Sequence, residues 1–384
     1  MSETVKQKKK TNSTDRSLKI LIGIFALVLV LFGVLLYFTA KKESALKGAD
    51  QAIRLSAQGG FDCEYAEAQK LYAFGEGVLK VTEDRTAYLT LSGNEVYSKN
   101  IKYTNPQCYI RDGKAVVFDY NGYAFMVLDK DQVVFEKPTE NKVKGAKLSD
   151  NGKCAIITDS DEGYGKVTIY DEKGSFIAAW ESSDSGYPID VTFSKDDSFF
   201  AISTVNTMGA VNRPYIRLFA IVDTGTKFSA SDYGLYTSDD AQLFGSVVYG
   251  GNRLFTFTAN KIFTLENDKL VALSGEYGSI NYVNSVDDML FMIYSDGINQ
   301  KNSLAIINSK GETIYDSLIG SSVNAVSVKD DKYAVSVDNR IYIFKSNGNV
   351  ISDISVDEEV LRIGFIENDK LVVISTGGVH TINY

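Results

Sequence analysis

Histidine occurs once in this 384-residue chain, tryptophan once, cysteine three times and proline four times. Each scarcity closes off a class of protein. One histidine and no C-x-x-C pair would leave a zinc site to carboxylates almost alone, a ligand set zinc rarely takes. Cys63, Cys108 and Cys154 are an odd count with no framework spacing, so they read as small buried apolar side chains and not as a disulfide scaffold. H-E-x-x-H and G-x-S-x-G are absent. The lone His380 stands in the last strand-like segment and reads as structural, not as the base of a Ser–His–Asp site. With so few prolines and 31 glycines, neither collagen-like nor disordered composition applies. DSDEG (159–163) begins like a calcium loop, but Tyr170 stands where the twelfth-position glutamate belongs. GYGKVT (163–168) fails as a phosphate loop because Ser160 and Val167 replace the required glycine and Ser/Thr. GEG (75–77) lacks the third glycine of a dinucleotide fingerprint. No cofactor, no metal site and no catalytic residue is therefore expected.

Charge is also missing from one stretch. Ile20 to Ala40 runs 21 residues without a charged side chain, and roughly 20 suffice to span a hydrocarbon core as a helix. Lys6, Lys8, Lys9, Lys10, Arg16 and Lys19 precede it, against Lys41, Lys42 and Lys47 just after. The positive-inside rule then keeps the N-terminus in the cytoplasm and places the remainder outside, with Tyr37 and Phe38 at the outer interface. A cleaved signal peptide fits poorly, since for a cut after Ala40 the third residue before the cut is Phe38, where a small residue is wanted. The expected organisation is a cytoplasmic basic tail (1–19), a single transmembrane helix (20–40), a linker with a ring-closing strand (41–66) and an extracytoplasmic domain (67–384). Beyond residue 40 there are 34 Lys+Arg and 47 Asp+Glu, a net charge of −13. So acidic a domain has no electrostatic claim on nucleic acid, whose binding depends on neutralising phosphates.

What is present in abundance is one phrase: apolar strand, tight polar turn, apolar strand. It occurs as AFGEGVLKVTE (73–83), IRDGKAVVFD (110–119), LSDNGKCAIIT (148–158) and FSKDDSFFAIST (193–204). It recurs as VYGGNRLFTFT (248–258), SVDDMLFMIY (285–294), SVKDDKYAVSV (327–337) and FIENDKLVVIS (365–375). Turns centred on Gly77, Gly113, Gly152, Asp197, Gly251, Asp288, Asp331 and Asp369 are 36 to 54 residues apart. A third strand, a turn such as EKG or NGN and a fourth strand follow. That period, with short strands and Asp/Asn/Gly hairpin turns, predicts an all-β propeller of four-stranded antiparallel blades. Eight blades are expected, with seven as the alternative count. Apolar residues at consecutive positions in the second and third strands suit sheets covered on both faces. The eighth copy stops after its third strand, so AIRLSA (52–57) or FDCEYA (61–66) is expected to supply its outer strand and cover an open sheet edge.

The N-terminal anchor, the stretch GVLKVTEDRTAYLTLSGNEVYSKNIKYTNPQCYIRDGKAVVFD and the later SDNG and KDDS repeats together resemble an uncharacterised family. Its members are membrane-anchored propeller proteins of Gram-positive bacteria, grouped as a domain of unknown function. The resemblance implies the fold and the anchor, and it brings no catalytic residue. The repeats are also loosely similar to quinoprotein and WD-type propellers, but the WD dipeptide is missing and Trp180 stands alone.

In a four-stranded blade the connections between strands one and two and between three and four share one rim. Those between two and three, and between blades, share the other. The first rim is uniformly tight. The long connections are TDSDEGYGK (158–166), ESSDSGYP (181–188), STVNTMGAVNRP (203–214), SASDYGLYTSDDAQLFG (229–245) and YSDGINQKN (294–302), all on the second rim. Loops on a rigid scaffold commonly carry function, and these offer Tyr164, Tyr187, Asn206, Met208, Asn212, Arg213, Tyr233 and Tyr236. The expected function is a membrane-anchored binding or scaffold module that presents this membrane-distal face to a protein or cell-envelope polymer. The alternative is an extracytoplasmic hydrolase or lyase using carboxylates such as Asp190 in the central channel. Against it, the first strands mostly carry apolar or Ser/Thr residues.

Overall fold

Hairpin turns whose twist matches their strands need residues at positive φ, where Gly, Asn and Asp are tolerated. In the computed structural model the turns take that conformation: φ is 71° at Gly113, 89° at Gly152, 57° at Asp197 and 52° at Asp369. Described are residues 24, 25, 27–34 and 50–384, apart from 64, 65, 67, 68, 224–227, 240–242, 274, 276, 287, 298–300, 367 and 368. Residues 1–46 and 47–384 are separate units.

In the first unit, residues 27–34 are helical, and Leu27, Val28, Leu29, Val30, Leu31, Phe32 and Val34 are all exposed. Among the described residues no helix is long and apolar enough to cross a membrane. The remainder of the apolar run lies outside them.

The second unit is an eight-bladed propeller of antiparallel sheets at residues 70–100, 106–138, 143–181, 187–236, 246–272, 279–320, 323–356 and 360–383. The eighth sheet has three strands of its own, Val360–Ile366, Lys370–Ser375 and Gly378–Asn383. Its outer strand is Gly59–Asp62, antiparallel to Gly378–Asn383 with Gly60 opposite His380. Asp50–Ile53 runs parallel to Val350–Val356 and makes the seventh sheet five-stranded. The closing strand thus starts two residues before the FDCEYA segment and shares only Phe61 and Asp62 with it, while AIRLSA is paired only at Ala52 and Ile53, Leu55–Ala57 being a 3-10 turn.

The first strands ring the axis. Val143–Leu148 contacts Tyr187–Phe193, which contacts Ser246–Gly250, and Lys70–Phe74 meets Val360–Ile366 where the ring closes. Between blades one and two, Lys70 Nζ donates to the Pro106 carbonyl at 2.8 Å.

The apolar core is divided among the blade interfaces. Leu71, Val78, Ala87 and Leu89 of blade one pack on Ile366, Val372, Ile374 and Val379 of blade eight. Ala155, Ile157, Val167 and Ile169 of blade three pack on Phe200, Ile202 and Phe219 of blade four, and Phe291 stacks on Tyr333 at 4.5 Å between blades six and seven. Each fully buried large side chain is worth about 1.5–3 kcal/mol. Since every such cluster needs two blades, one blade cannot hold its fold alone.

Among the described residues no cysteine forms a disulfide, and Cys154 is fully buried in the interface between blades two and three. Burial pushes the Cys154 and Cys108 thiols well up.

Candidate functional site

Four connections lie on the second rim at blades three to five: 159–165, 182–186, 207–212 and the described parts of the fourth, 237–239 and 243–245. Within them Tyr164 and Tyr187 meet edge to face at 5.1 Å. Asn206 ties two loops together, its Nδ2 donating to the Asp184 carbonyl at 2.6 Å while its Oδ1 accepts from the Met208 amide at 2.9 Å. Arg213 pairs with Asn206 across the ladder, and Asn212 is exposed. These six residues share the rim. Among the described residues of the propeller the most exposed large apolar side chains are Met208 at 74% and Val211 at 71%, and Tyr187 and Leu243 on the same rim are also exposed.

Tyr233 and Tyr236 are different. Both lie on the outer strand Phe228–Tyr236 of blade four, in a segment that the sequence reads as loop. Tyr233 packs edge to face on Phe199 at 5.4 Å, toward the tight-turn end of the blade, and Tyr236 is buried at 8% exposure. An outer strand has one sheet neighbour and a wet face, so Ser-Ala-Ser-Asp-Tyr-Gly shows none of the apolar pattern that marks inner strands.

The first strands of blades two to six enclose a cavity of about 170 Å³ at the tight-turn end of the central channel. Lys147 Nζ lies 3.2 Å from Asp190 Oδ1 and 4.9 Å from the Tyr109 ring centre. Asp190 is buried and also accepts from Ser246 Oγ and, at 3.4 Å, from the Val247 amide. Arg111 donates through Nε to Asp150. Across the channel, the Tyr282 hydroxyl accepts from Asn284 Nδ2 at 3.0 Å. Burial pulls the Lys147 ammonium down, but the Asp190 carboxylate and the Tyr109 and Tyr282 phenols more than offset it, leaving the pKa above the ordinary lysine value. Burial raises the Tyr282 phenol.

The sequence reading searches the first strands for acids and passes over this group. The available signal is cationic: Lys70, Arg111, Lys144, Lys147, Lys329 and Arg362 lie on first strands against the single carboxylate Asp190. Asp190 is thus matched by a lysine, and Asp150 by an arginine; among the described residues no further carboxylate lines this cavity.

His380 is buried at 3% exposure. Its Nε2 stands 3.1 Å from Ser375 Oγ and 3.6 Å from Glu358 Oε2. Ser375 Oγ donates to Glu358 and accepts from the Gly377 and Gly378 amides, each at 3.2 Å. A hydrolase triad puts its acid on the other ring nitrogen, so this group braces the turn beside the closing strand. Asp159 of the DSDEG segment pairs with Lys144 at 3.0 Å. Among the described residues no cluster of His, Cys, Asp and Glu has the arrangement of a metal site.

A family of unknown function (DUF5711) matches residues 53–383, and the chain belongs to it. No curated protein matches it by sequence. Among solved structures, AztD from Citrobacter koseri is similar at 12% identity over 75% of this chain and 86% of that one, with a TM-score of 0.52. BamB from Moraxella catarrhalis is similar at 12% identity over 85% of this chain and 98% of that one, with a TM-score of 0.50. Likeness at this identity shows the propeller fold alone.

Proposed function

We propose that this member of a family of unknown function is a membrane-anchored binding module whose propeller, outside the cytoplasm, presents the long-loop rim of blades three to five to a protein partner. The observation that carries the reading is the grouping of exposed Met208, Val211, Tyr187 and Leu243 on one rim, beside Arg213 and the Tyr164–Tyr187 pair. Aromatic residues, Met and Arg are enriched at protein interfaces, and contiguous exposed apolar surface on a soluble domain marks interaction sites.

The anchor rests on the uncharged run 20–40 and its flanking lysines, and on a helix at 27–34 that leaves its apolar side chains exposed. A helix apolar on all sides belongs in a protein core or a bilayer. Asp50–Ile53 begins on the tight-turn side, since it is parallel to Val350–Val356. The chain thus enters the propeller at the tight-turn rim, the rim opposite the long loops.

In-cell photo-crosslinking tests this. One probe replaces Asn212 on the long-loop rim, and a control replaces Asn347 in a tight turn of blade seven; both positions are exposed. A discrete protein adduct from position 212 alone is expected. Equal labelling from both, or none from 212, would sink the rim as a docking face.

A further inference from the structure

The first strands differ from the rest of the domain in sign. The chain beyond residue 40 carries a net charge of −13, yet its first strands hold six cations against one carboxylate. At the cavity the two nearby carboxylates are turned into the protein: Asp190 is engaged by Lys147, Ser246 and the Val247 amide, and Asp150 by Arg111. The hydrogen-bond donors are not used up. An ammonium has three N–H bonds and a guanidinium five; one of Lys147's is directed to Asp190, and Arg111 gives one to Asp150 through Nε and one to Tyr109, which leaves three. Tyr282 receives a hydrogen bond from Asn284, so its own proton is left to donate. Cation, guanidinium and phenol thus line one small cavity in which the acceptors are already satisfied.

We propose that the tight-turn end of the central channel binds a small oxyanion, a carboxylate or a phosphate, through Arg111, Lys147 and Tyr282. Arginine's parallel N–H bonds match two oxygens of either group. The cavity, about 170 Å³, is below the range that drug-sized ligands fill, which limits the ligand to a small metabolite or the inorganic ion. Tyr109 and Tyr282 give any carbon skeleton an aromatic wall. This site is independent of what the long-loop rim binds, and it lies at the other end of the channel.

The test is isothermal titration calorimetry on the full chain in detergent, with inorganic phosphate and succinate as separate probes. At least one is expected to bind once per chain with a Kd below about 1 mM, weakening as salt is added. Which one binds tells a phosphate site from a carboxylate site. Two charge-balanced variants, Lys147→Met/Asp190→Asn and Arg111→Gln/Asp150→Asn, remove a cation without stranding its carboxylate. Each is expected to weaken binding at least about tenfold, while Lys332→Met, outside the channel, leaves it unchanged. No saturable heat from either probe at about 10 mM, or equal binding in both double variants, overturns the proposal. Phenylglyoxal modification of the unmutated protein decides the case if the variants fail to fold. The bound probe must slow reaction at Arg111, read by peptide mass spectrometry, and an unchanged rate refutes the site.

Discussion

Gly60 sits in the strand that completes the eighth blade, and replacing it with alanine puts a price on that closure. Its φ is +140°, and a Cβ built there would lie 1.9 Å from the Val379 carbonyl oxygen and 2.9 Å from the His380 Cα. Both are backbone atoms of the partner strand, so no side-chain rotation relieves the overlap. Alanine at such a φ costs about 1–3 kcal/mol in strain. Parting Gly59–Asp62 from Gly378–Asn383 forfeits further hydrogen bonds worth about 1 kcal/mol each. A total near 3–5 kcal/mol follows. For about 335 folded residues the unfolding entropy is roughly 0.7 kcal/mol per kelvin, so Tm should fall by about 4–7 °C. Gly113→Ala is the control: its φ is +71° and nothing lies within 4 Å of the added Cβ. It should cost about 1–2 kcal/mol, only the left-handed strain. Differential scanning calorimetry of the full chain reads both, and amide exchange at Val379, His380 and Thr381 should quicken only in the Gly60 variant. Equal melting of the two variants would show that the closing strand contributes nothing to the ring.

Lys147→Met should destabilise the propeller by about 3 kcal/mol, because it leaves the buried Asp190 without its cation. Adding Asp190→Asn should recover most of the loss in denaturant midpoint, and failure of that rescue would mean the pair is not coupled. Alkali should unfold the chain from about pH 10 upward. Burial, chiefly, pushes the Tyr72 phenol from 10.0 to about 12, and Lys147 is raised above 10.5. Below these ordinary values the groups' contribution is fully present; it is lost as pH rises through the folded values, because the unfolded chain gives up its protons first. Tyrosinate absorbance rising to completion before any loss of circular dichroism would refute this. The chain should stay with membranes through alkaline carbonate extraction, and external protease on spheroplasts should remove the propeller; recovery in the soluble fraction would contradict the anchor.

The blades are legible in the sequence because a strand buried on both faces and a two-residue turn at positive φ each restrict composition. Val116–Phe118 or Leu371–Ile374 can be little else once Asp112-Gly113 or Asp369 precedes them. Outer strands carry no such mark. Phe228–Tyr236 reads as loop, and the closing strand is expected at 52–57 or 61–66 but not at its true bounds, Gly59–Asp62, since such ladders are satisfied by neighbours that sequence does not display. The channel cavity is harder still. Tyr109, Lys147, Asp190 and Tyr282 come from four blades, and only the register of each first strand brings them to one level. Spacing along the chain says nothing about that, although the run of cations on first strands is visible once the strands are known. The rim is half legible: loop length locates Met208 and Asn212, but not which tyrosines of the same stretch turn inward.

The ring is closed by the part of the chain that leads in from residue 49, and this has a mechanical side. Any tension passed along the backbone from the N-terminal segment enters the propeller at Asp50–Ile53, a strand added outside the four of blade seven. From there it reaches Gly59–Asp62, the strand whose loss opens blade eight. The lead-in strand and the latch are consecutive stretches of one chain, so a sufficient pull on the N-terminal segment would be felt at the closure before it reached the long-loop rim.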